Sequence, residues 1–178
     1  SSTGTYWHGP TAYIPVPVPS SGKVESNFIA NSRFAFTSSG PKLGRYEFNV
    51  LSGDNVLCSM VMRDSESELN KRVVECWLEG KLVASQDVDL RKYANELYEF
   101  KISRMAGTVR FQLGQVLQLT GDAVTGYGTT QVFSFNSDTV GTKPVDGVNC
   151  YFAKFGNAPT SEMYWRDTSF YWINVDYF

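Results

Sequence analysis

The sequence is poor in the residues that most catalytic and metal sites require. It has one histidine, His8, and three cysteines, Cys58, Cys76 and Cys150, in 178 residues. A single histidine with no suitably spaced cysteine cannot build a zinc site, and a Ser–His–acid triad would depend on a residue near the start of the chain. A glycine-rich phosphate-binding loop is also missing. These absences argue against zinc, nucleophilic and nucleotide-dependent catalysis, and we predict no catalytic residues.

The three cysteines are odd in number and widely spaced. Cys58 alternates in phase with Met60, and Cys76 alternates in phase with Val74, as apolar core residues of strands do. We therefore expect free thiols rather than disulfides. Free thiols are typical of a protein made in a reducing cytoplasm.

A concentration of charge is missing as well. The 16 basic and 18 acidic residues are scattered and give a net charge of −2, so we expect no nucleic-acid partner. No apolar run approaches the ~20 residues of a membrane span, so we expect no membrane partner. Calcium is conceivable at Asp54-Asn55, Asp64–Glu68 or Asp87 and Asp89, but these lack the spacing of a known calcium loop. We expect solvated carboxylates there and no cofactor.

Aromatic residues and strand-like alternation, by contrast, are abundant. The chain has 12 Phe, 10 Tyr and 4 Trp, and period-2 runs bounded by turn residues recur almost from end to end. We predict strands at Asn27–Phe36, Leu43–Leu51, Val56–Arg63, Arg72–Leu78, Lys81–Val88, Leu97–Arg104, Thr108–Leu113, Gln115–Leu119, Gln131–Phe135, Val148–Phe155 and Ser169–Phe178. So many short strands in one chain of this length favour an all-β fold, a two-sheet antiparallel β-sandwich.

The predicted domain organisation is simple. We expect residues 1–10 to be a linker and entry segment, and residues 11–178 to form a single β-sandwich module. The start Ser1-Ser2-Thr3-Gly4 is typical of a flexible linker and predicts a piece of a longer protein. Ile14–Pro19 is rich in proline, so it should lie extended at a sheet edge.

Aromatic and polar residues occur together on the predicted strand faces that point away from the core. Trp77 alternates in phase with Glu75 and opposite the apolar Cys76. The corresponding polar faces of other predicted strands carry Arg45, Glu47 and Asn49, and Arg110 and Gln112. A ring that stacks on sugar C–H groups, beside planar groups that bind hydroxyls, is typical of a saccharide site. The same pattern also fits a solvated face on which Trp77 packs against long side-chain stems.

Two further rings are predicted to lie at loops. Tyr127 stands between two glycines in the turn-rich stretch Gly121–Thr130, and Trp165 follows the predicted loop Gly156–Glu162. Loops on a rigid sandwich are common binding sites, so these rings are an alternative location for the ligand.

Glycoside hydrolysis is the catalytic possibility that remains. Glu75 and Glu79 share one face, but their Cα atoms would lie ~13 Å apart along a strand, farther than the ~5 to 9.5 Å between the carboxyls of glycosidases. A cross-strand pair of Glu47 with Glu75 stays open.

Three segments resemble one known family. They are Thr5–Thr11 (TYWHGPT), Phe48–Asn55 (FNVLSGDN) and Leu78–Val83 (LEGKLV). The first is similar to the Y-W-H-G-P-[ST] start of modules in tail proteins of phages that infect lactic acid bacteria and related Gram-positive bacteria. The resemblance covers about the first half of the chain and weakens toward the end. The galectin pattern H-x-N-x-R…W-x-x-E-x-R is missing, so no galectin binding residue can be carried over.

The resemblance implies a lectin-like jelly roll, attached to or inserted in a distal tail protein or baseplate component. Its partners would be host cell-wall saccharide and the rest of the tail. Its location would be the virion tail tip, after assembly in the host cytoplasm. We therefore predict a non-catalytic carbohydrate-binding module. The alternatives are a structural spacer or interaction module without a ligand, and a cell-wall glycan hydrolase.

Overall fold

The protein folds as two antiparallel β-sheets, as a computed structural model shows. The structure describes residues 6–16, 27–37, 44–65, 71–89, 97–120, 123–127, 131–136, 143–155 and 162–173. Within these ranges no helix is long and apolar enough to span a membrane. The all-β two-sheet fold predicted from the alternation is confirmed.

Six strands form the first sheet, called sheet A. They are β1 (Tyr6–Pro15), β3 (Arg45–Ser52), β4 (Asn55–Asp64), β5 (Lys71–Leu78), β6 (Lys81–Asp89) and β11 (Gly147–Phe155). Their spatial order is β1-β11-β3-β4-β5-β6. The proline-containing β1 is an edge strand, as expected from the donors that proline removes.

The second sheet, sheet B, packs against sheet A. Its strands are β2 (Phe28–Thr37), β7 (Leu97–Met105), β8 (Thr108–Thr120), β9 (Ala123–Tyr127), β10 (Gln131–Asn136) and β12 (Glu162–Trp172). Five of them run in the order β10-β8-β7-β2-β12, and β9 pairs with the second half of β8.

β1 begins at Tyr6, and Tyr6, Trp7 and His8 pair with β11. The sequence placed most strands correctly but missed two features. β8 continues through Gly114, which pairs with Glu99 without a register shift, so the two strands predicted there are one. The predicted loop Gly121–Thr130 contains β9.

Two hairpin turns contain a glycine with positive φ. Gly53 has a φ of 58° between β3 and β4, and Gly80 has a φ of 79° after Glu79 at 45° between β5 and β6. The β5–β6 turn thus has positive φ at both of its central residues, which is typical of a type I′ turn that matches the twist of paired strands.

Aromatic rings fill the space between the sheets. The ring centroid of Phe34 lies 4.0 Å from that of Tyr46 and 4.7 Å from that of Phe100. The Tyr46 ring lies 4.7 Å from the Phe152 ring. All four side chains are buried, and the Tyr46 hydroxyl hydrogen bonds to the buried Ser32 hydroxyl of the facing sheet. The core therefore both excludes water and fixes the position of its polar groups.

A pair of opposite charges is buried at one end of this core. Arg72 is 0% exposed and faces Asp64, 4% exposed, across the β4–β5 ladder. Burial lowers the pKa of Arg72 to about 10, and the Asp64 charge opposes that decrease. One Asp64 carboxylate oxygen accepts a hydrogen bond of 2.7 Å from the Gly44 backbone N–H. The expectation of a solvated carboxylate was therefore wrong for Asp64.

The three cysteines are free and buried, which confirms the prediction from their spacing. Burial raises the pKa of Cys58 to about 12, against a smaller lowering by the charge of Arg104. Burial and the charge of Glu75 raise the pKa of Cys76 to about 12. Because the thiolate is the reactive form, the Cys58 and Cys76 thiols should be unreactive at neutral pH in the folded protein. Cys150 is 1% exposed, so a reagent cannot reach it.

We accordingly expect no fast reaction of native protein with a thiol-specific disulfide reagent at pH 8, and reaction of all three cysteines once the protein is denatured. Absorbance of the released chromophore measures both. A thiol that reacts rapidly in the native state would contradict the packing described for its strand.

Candidate functional site

The outward side of sheet A brings together residues that are far apart in the sequence. We call it the outer face; it is opposite the aromatic core. One cross-strand row on it consists of Tyr13, Asn149, Asn49, Ser59, Trp77 and Leu82. The next row consists of Tyr151, Glu47, Val61, Glu75 and Ser85. A third row contains Arg45, Arg63, Val73 and Asp87.

This arrangement unites five of the predicted saccharide-binding residues on one surface. Arg45, Glu47 and Asn49 lie on β3, and Glu75 and Trp77 lie on β5, with β4 between the two strands of sheet A. Strand alternation in the sequence predicted that these side chains point away from the core. The pairing of β3 with β4 and of β4 with β5 shows that they lie on the same sheet.

Trp77 lies at an irregularity of the ladder. Cys76 pairs with Ala84 and Trp77 pairs with Leu82, which leaves Val83 as an extra residue on β6. Such a bulge bends the strand and changes the direction of neighbouring side chains. Trp77 is partly buried, and its indole N–H is buried without a hydrogen-bond acceptor among the described residues. A buried N–H donor without an acceptor does not stabilise the fold, so the placement of this indole N–H is not explained by folding alone.

Two arginine–glutamate pairs lie on the same outer face as Trp77. The Arg45 Nε atom lies 2.6 Å from a Glu47 carboxylate oxygen, and the Arg63 Nε atom lies 3.3 Å from a Glu75 carboxylate oxygen. The four groups balance in charge, so the pairs present fixed hydrogen-bonding groups without a net field of either sign.

The middle of the outer face is shielded from solvent. Asn49 is 7% exposed, Glu75 is 6% exposed and Val61 is 2% exposed. Asn49 donates a hydrogen bond of 2.7 Å to the Asn149 side-chain oxygen. Asn49 and Glu75 therefore position Asn149 and Arg63, and the more exposed partners are better placed to meet a ligand.

Sequence reasoning missed four residues of this surface: Tyr13, Arg63, Asn149 and Tyr151. The alternation in β4 and β11 already placed Arg63, Asn149 and Tyr151 opposite the core. The pKa of the Tyr151 hydroxyl is raised, mainly by burial and also by the negative charge of Glu47. The positive charge of Arg45 opposes this increase but does not cancel it. Tyr151 therefore stays a neutral hydroxyl beside the Arg45–Glu47 pair.

Two predicted residues lie on the other sheet. Arg110 and Gln112 belong to β8 and point outward from sheet B. The Arg110 Nε atom donates a hydrogen bond of 3.3 Å to the Ser134 hydroxyl of β10. They cannot share a site with Trp77, because the core lies between the two outward faces.

The two loop candidates lie on strands instead. Tyr127 is the last residue of β9, and Trp165 is within β12, opposite Phe34. Their side chains lie outside the described part of the structure, so their contact with a ligand stays a prediction.

The outer face offers binding groups rather than an evident catalytic centre. Glu47 and Glu75 are separated by one intervening strand, so their Cα atoms lie ~10 Å apart, and each carboxylate is paired with an arginine. Within the described ranges no group of three or more His, Cys, Asp or Glu side chains could hold a metal ion.

Comparison with protein families and with curated proteins gives no match. Among solved structures, the chain is similar to the CBM2 module of the evolved Dit of Lactobacillus casei BL23 phage J-1. The TM-score is 0.75 at 21% identity, over 94% of this chain and 71% of that one. Lectin II from Ulex europaeus matches with a TM-score of 0.63 at 12% identity, over 96% and 83% of the two chains. A tetrameric galectin from Cinachyrella sp. matches with a TM-score of 0.53 at 14% identity, over 90% and 98%. The lectin-like β-sandwich predicted from the sequence resemblance is thus confirmed as the fold of this chain.

Proposed function

We propose that this chain is a non-catalytic carbohydrate-binding module of a phage tail, of the evolved distal tail protein type, and that it attaches to saccharide of the host cell wall. The observation that carries the proposal is the outer face of sheet A. It combines the Trp77 ring with two arginine–glutamate pairs and the Asn49–Asn149 amide pair. Rings and planar polar groups on a rigid sheet are what a polyol requires. The fold shared with a phage CBM2 module supports the proposal.

The charge balance of this face favours an uncharged saccharide. Arg45 and Arg63 are already paired with carboxylates, so the face offers no surplus of positive charge to a phosphate-rich polymer such as teichoic acid. Hydroxyl groups of a neutral polysaccharide can hydrogen bond to both members of a pair without breaking it.

One observation favours the alternative, a structural spacer or interaction module without a ligand. The central residues Asn49, Val61 and Glu75 are almost fully buried and bonded to their neighbours. A face whose polar groups are already hydrogen bonded within the chain can also serve as a rigid structural surface of a phage tail.

The test is binding of the isolated module, fused to a fluorescent protein, to cells of lactic acid bacteria and related Gram-positive strains. We expect labelling of some strains, competition by their neutral wall polysaccharide and no competition by teichoic acid. Weak single-site binding, in the range of about 4–8 kcal/mol, would suffice because several copies on one tail add avidity. The fluorescent protein alone is the control.

Each alternative gives a different result. A module that labels no strain of the panel would favour the spacer. Release of reducing ends during long incubation with wall polysaccharide, lost on Glu47→Gln or Glu75→Gln, would favour the hydrolase.

A further inference from the structure

An exposed aromatic ring, that of Tyr13, lies on the outer face near the sheet edge that is far from Trp77. Tyr13 belongs to the edge strand β1, and its side chain is 59% exposed. It stands in the same cross-strand row as Trp77, with Asn149, Asn49 and Ser59 between them. The two rings are four strand spacings apart, which is ~19 Å.

The Tyr13 ring is held in place by a glycine. A Cβ atom at Gly147 would come within 2.5 Å of the ring carbon Cε2, so the ring occupies the space of the missing side chain. The Tyr13 hydroxyl lies 3.4 Å from the Asp146 carbonyl oxygen, to which it donates a hydrogen bond. An exposed aromatic side chain usually loses rotamer freedom when it binds a ligand. The Tyr13 ring packs against the backbone and has less of this freedom to lose.

The segment beneath the ring is itself tied to neighbouring strands. The Val16 N–H donates a hydrogen bond to the Asp146 carbonyl oxygen, and the Asp146 N–H donates to the Leu51 carbonyl oxygen. The Asp146 carboxylate accepts a hydrogen bond of 2.7 Å from the Gly53 N–H. Tyr13 is therefore a preorganised platform, because its support cannot shift without breaking these bonds.

We infer that Tyr13 is a second saccharide-stacking platform, and that the ligand is an uncharged glycan chain of several sugar units lying across the strands from Trp77 to Tyr13. This rests on the proposed function of the outer face. One sugar ring cannot reach both platforms ~19 Å apart. The Asn149 amide, which Asn49 holds by a hydrogen bond of 2.7 Å, lies in the row between the rings and is the more exposed of the two, so it suits a hydroxyl group of an intervening unit.

The experiment uses the bacterial strain that the wild-type module labels most strongly. Its neutral wall polysaccharide is cut by partial acid hydrolysis into size fractions, and affinity for each fraction is measured by calorimetry. We expect the wild-type affinity to rise with chain length up to a plateau. Tyr13→Ala should weaken binding of the long fractions about tenfold and leave binding of the shortest bound fraction unchanged.

Two further variants make the result specific. Gly147→Ala keeps the tyrosine but displaces its ring, so it should reproduce the loss seen for Tyr13→Ala on long fractions. Tyr171→Ala removes a ring of similar exposure, 60%, from β12 of sheet B, and should bind every fraction as the wild type does. Thermal unfolding checks that each variant is folded.

The outcomes separate this inference from the proposed function. A module that labels no strain would overturn the proposed function and this inference with it. A module that labels the strain but binds no fraction of its neutral polysaccharide would overturn the uncharged glycan as ligand, and hence this inference. Wild-type binding that Tyr13→Ala leaves unchanged on long fractions would overturn the second platform alone. Equal losses on short and long fractions would also overturn it, because the glycan would then not extend between two rings.

Discussion

Replacing Asp64 with asparagine is expected to lower the free energy of unfolding by about 3–5 kcal/mol. The change removes the negative charge that faces Arg72 in the core, while an amide oxygen remains to accept the Gly44 hydrogen bond. Arg72 is fully buried, so its charge would then lose the favourable interaction with the Asp64 carboxylate in a medium that solvates it poorly. Urea unfolding followed by tryptophan fluorescence measures the difference.

A double-mutant cycle distinguishes the charge pair from simple packing. Arg72→Met alone leaves the Asp64 charge buried and should also destabilise the protein. The double variant Asp64→Asn with Arg72→Met removes both charges, so we expect it to be less destabilised than the sum of the single variants. Strict additivity would mean that the two charges do not stabilise each other.

The sequence predicted the fold well because strand alternation is local. In β3, Tyr46 and Phe48 alternate with Glu47 and Asn49, and the structure puts the first two in the core. Turn residues such as Gly53 and Gly80 fixed the hairpins, since positive φ is a property of few residue types. Both signals can be read within ten residues.

The composition of the site was harder to predict, because it depends on which strands become neighbours. β11 lies between β1 and β3, so Asn149 meets Asn49 from a position 100 residues later. Alternation shows that Asn149 points away from the core, yet it cannot show which sheet it joins. The same limit explains why Arg110 and Gln112 were grouped with Trp77 although they face outward from sheet B.

The burial of the Arg72–Asp64 charge pair could not be predicted from the sequence for a different reason. Arg72 and Asp64 occupy positions in phase with the core residues Val74 and Met62, and a charged residue at a strand end is usually solvated. Their burial becomes visible when the β4–β5 register pairs them. The site and the stability of sheet A thus depend on the same ladder, which also aligns Ser59 with Trp77.

Replacing Trp77 with alanine is expected to weaken saccharide binding by about 1–3 kcal/mol, roughly a five- to 150-fold loss of affinity. The loss arises because the ring supplies the apolar area on which the sugar C–H face would stack. Trp77 lies opposite the core and is only partly buried, so the free energy of unfolding should decrease less for Trp77→Ala than for Asp64→Asn. Calorimetry with neutral wall polysaccharide measures the binding, and urea unfolding measures the stability.

Trp77→Phe is the matched control for this prediction. It keeps an aromatic ring and removes an indole N–H that has no acceptor among the described residues, so it should retain most of the binding without loss of stability. A folded Trp77→Ala variant that binds like the wild type would exclude the outer face of sheet A as the site. Binding would then have to be sought at the two rings of sheet B strands, Tyr127 and Trp165, where single alanine substitutions test it directly.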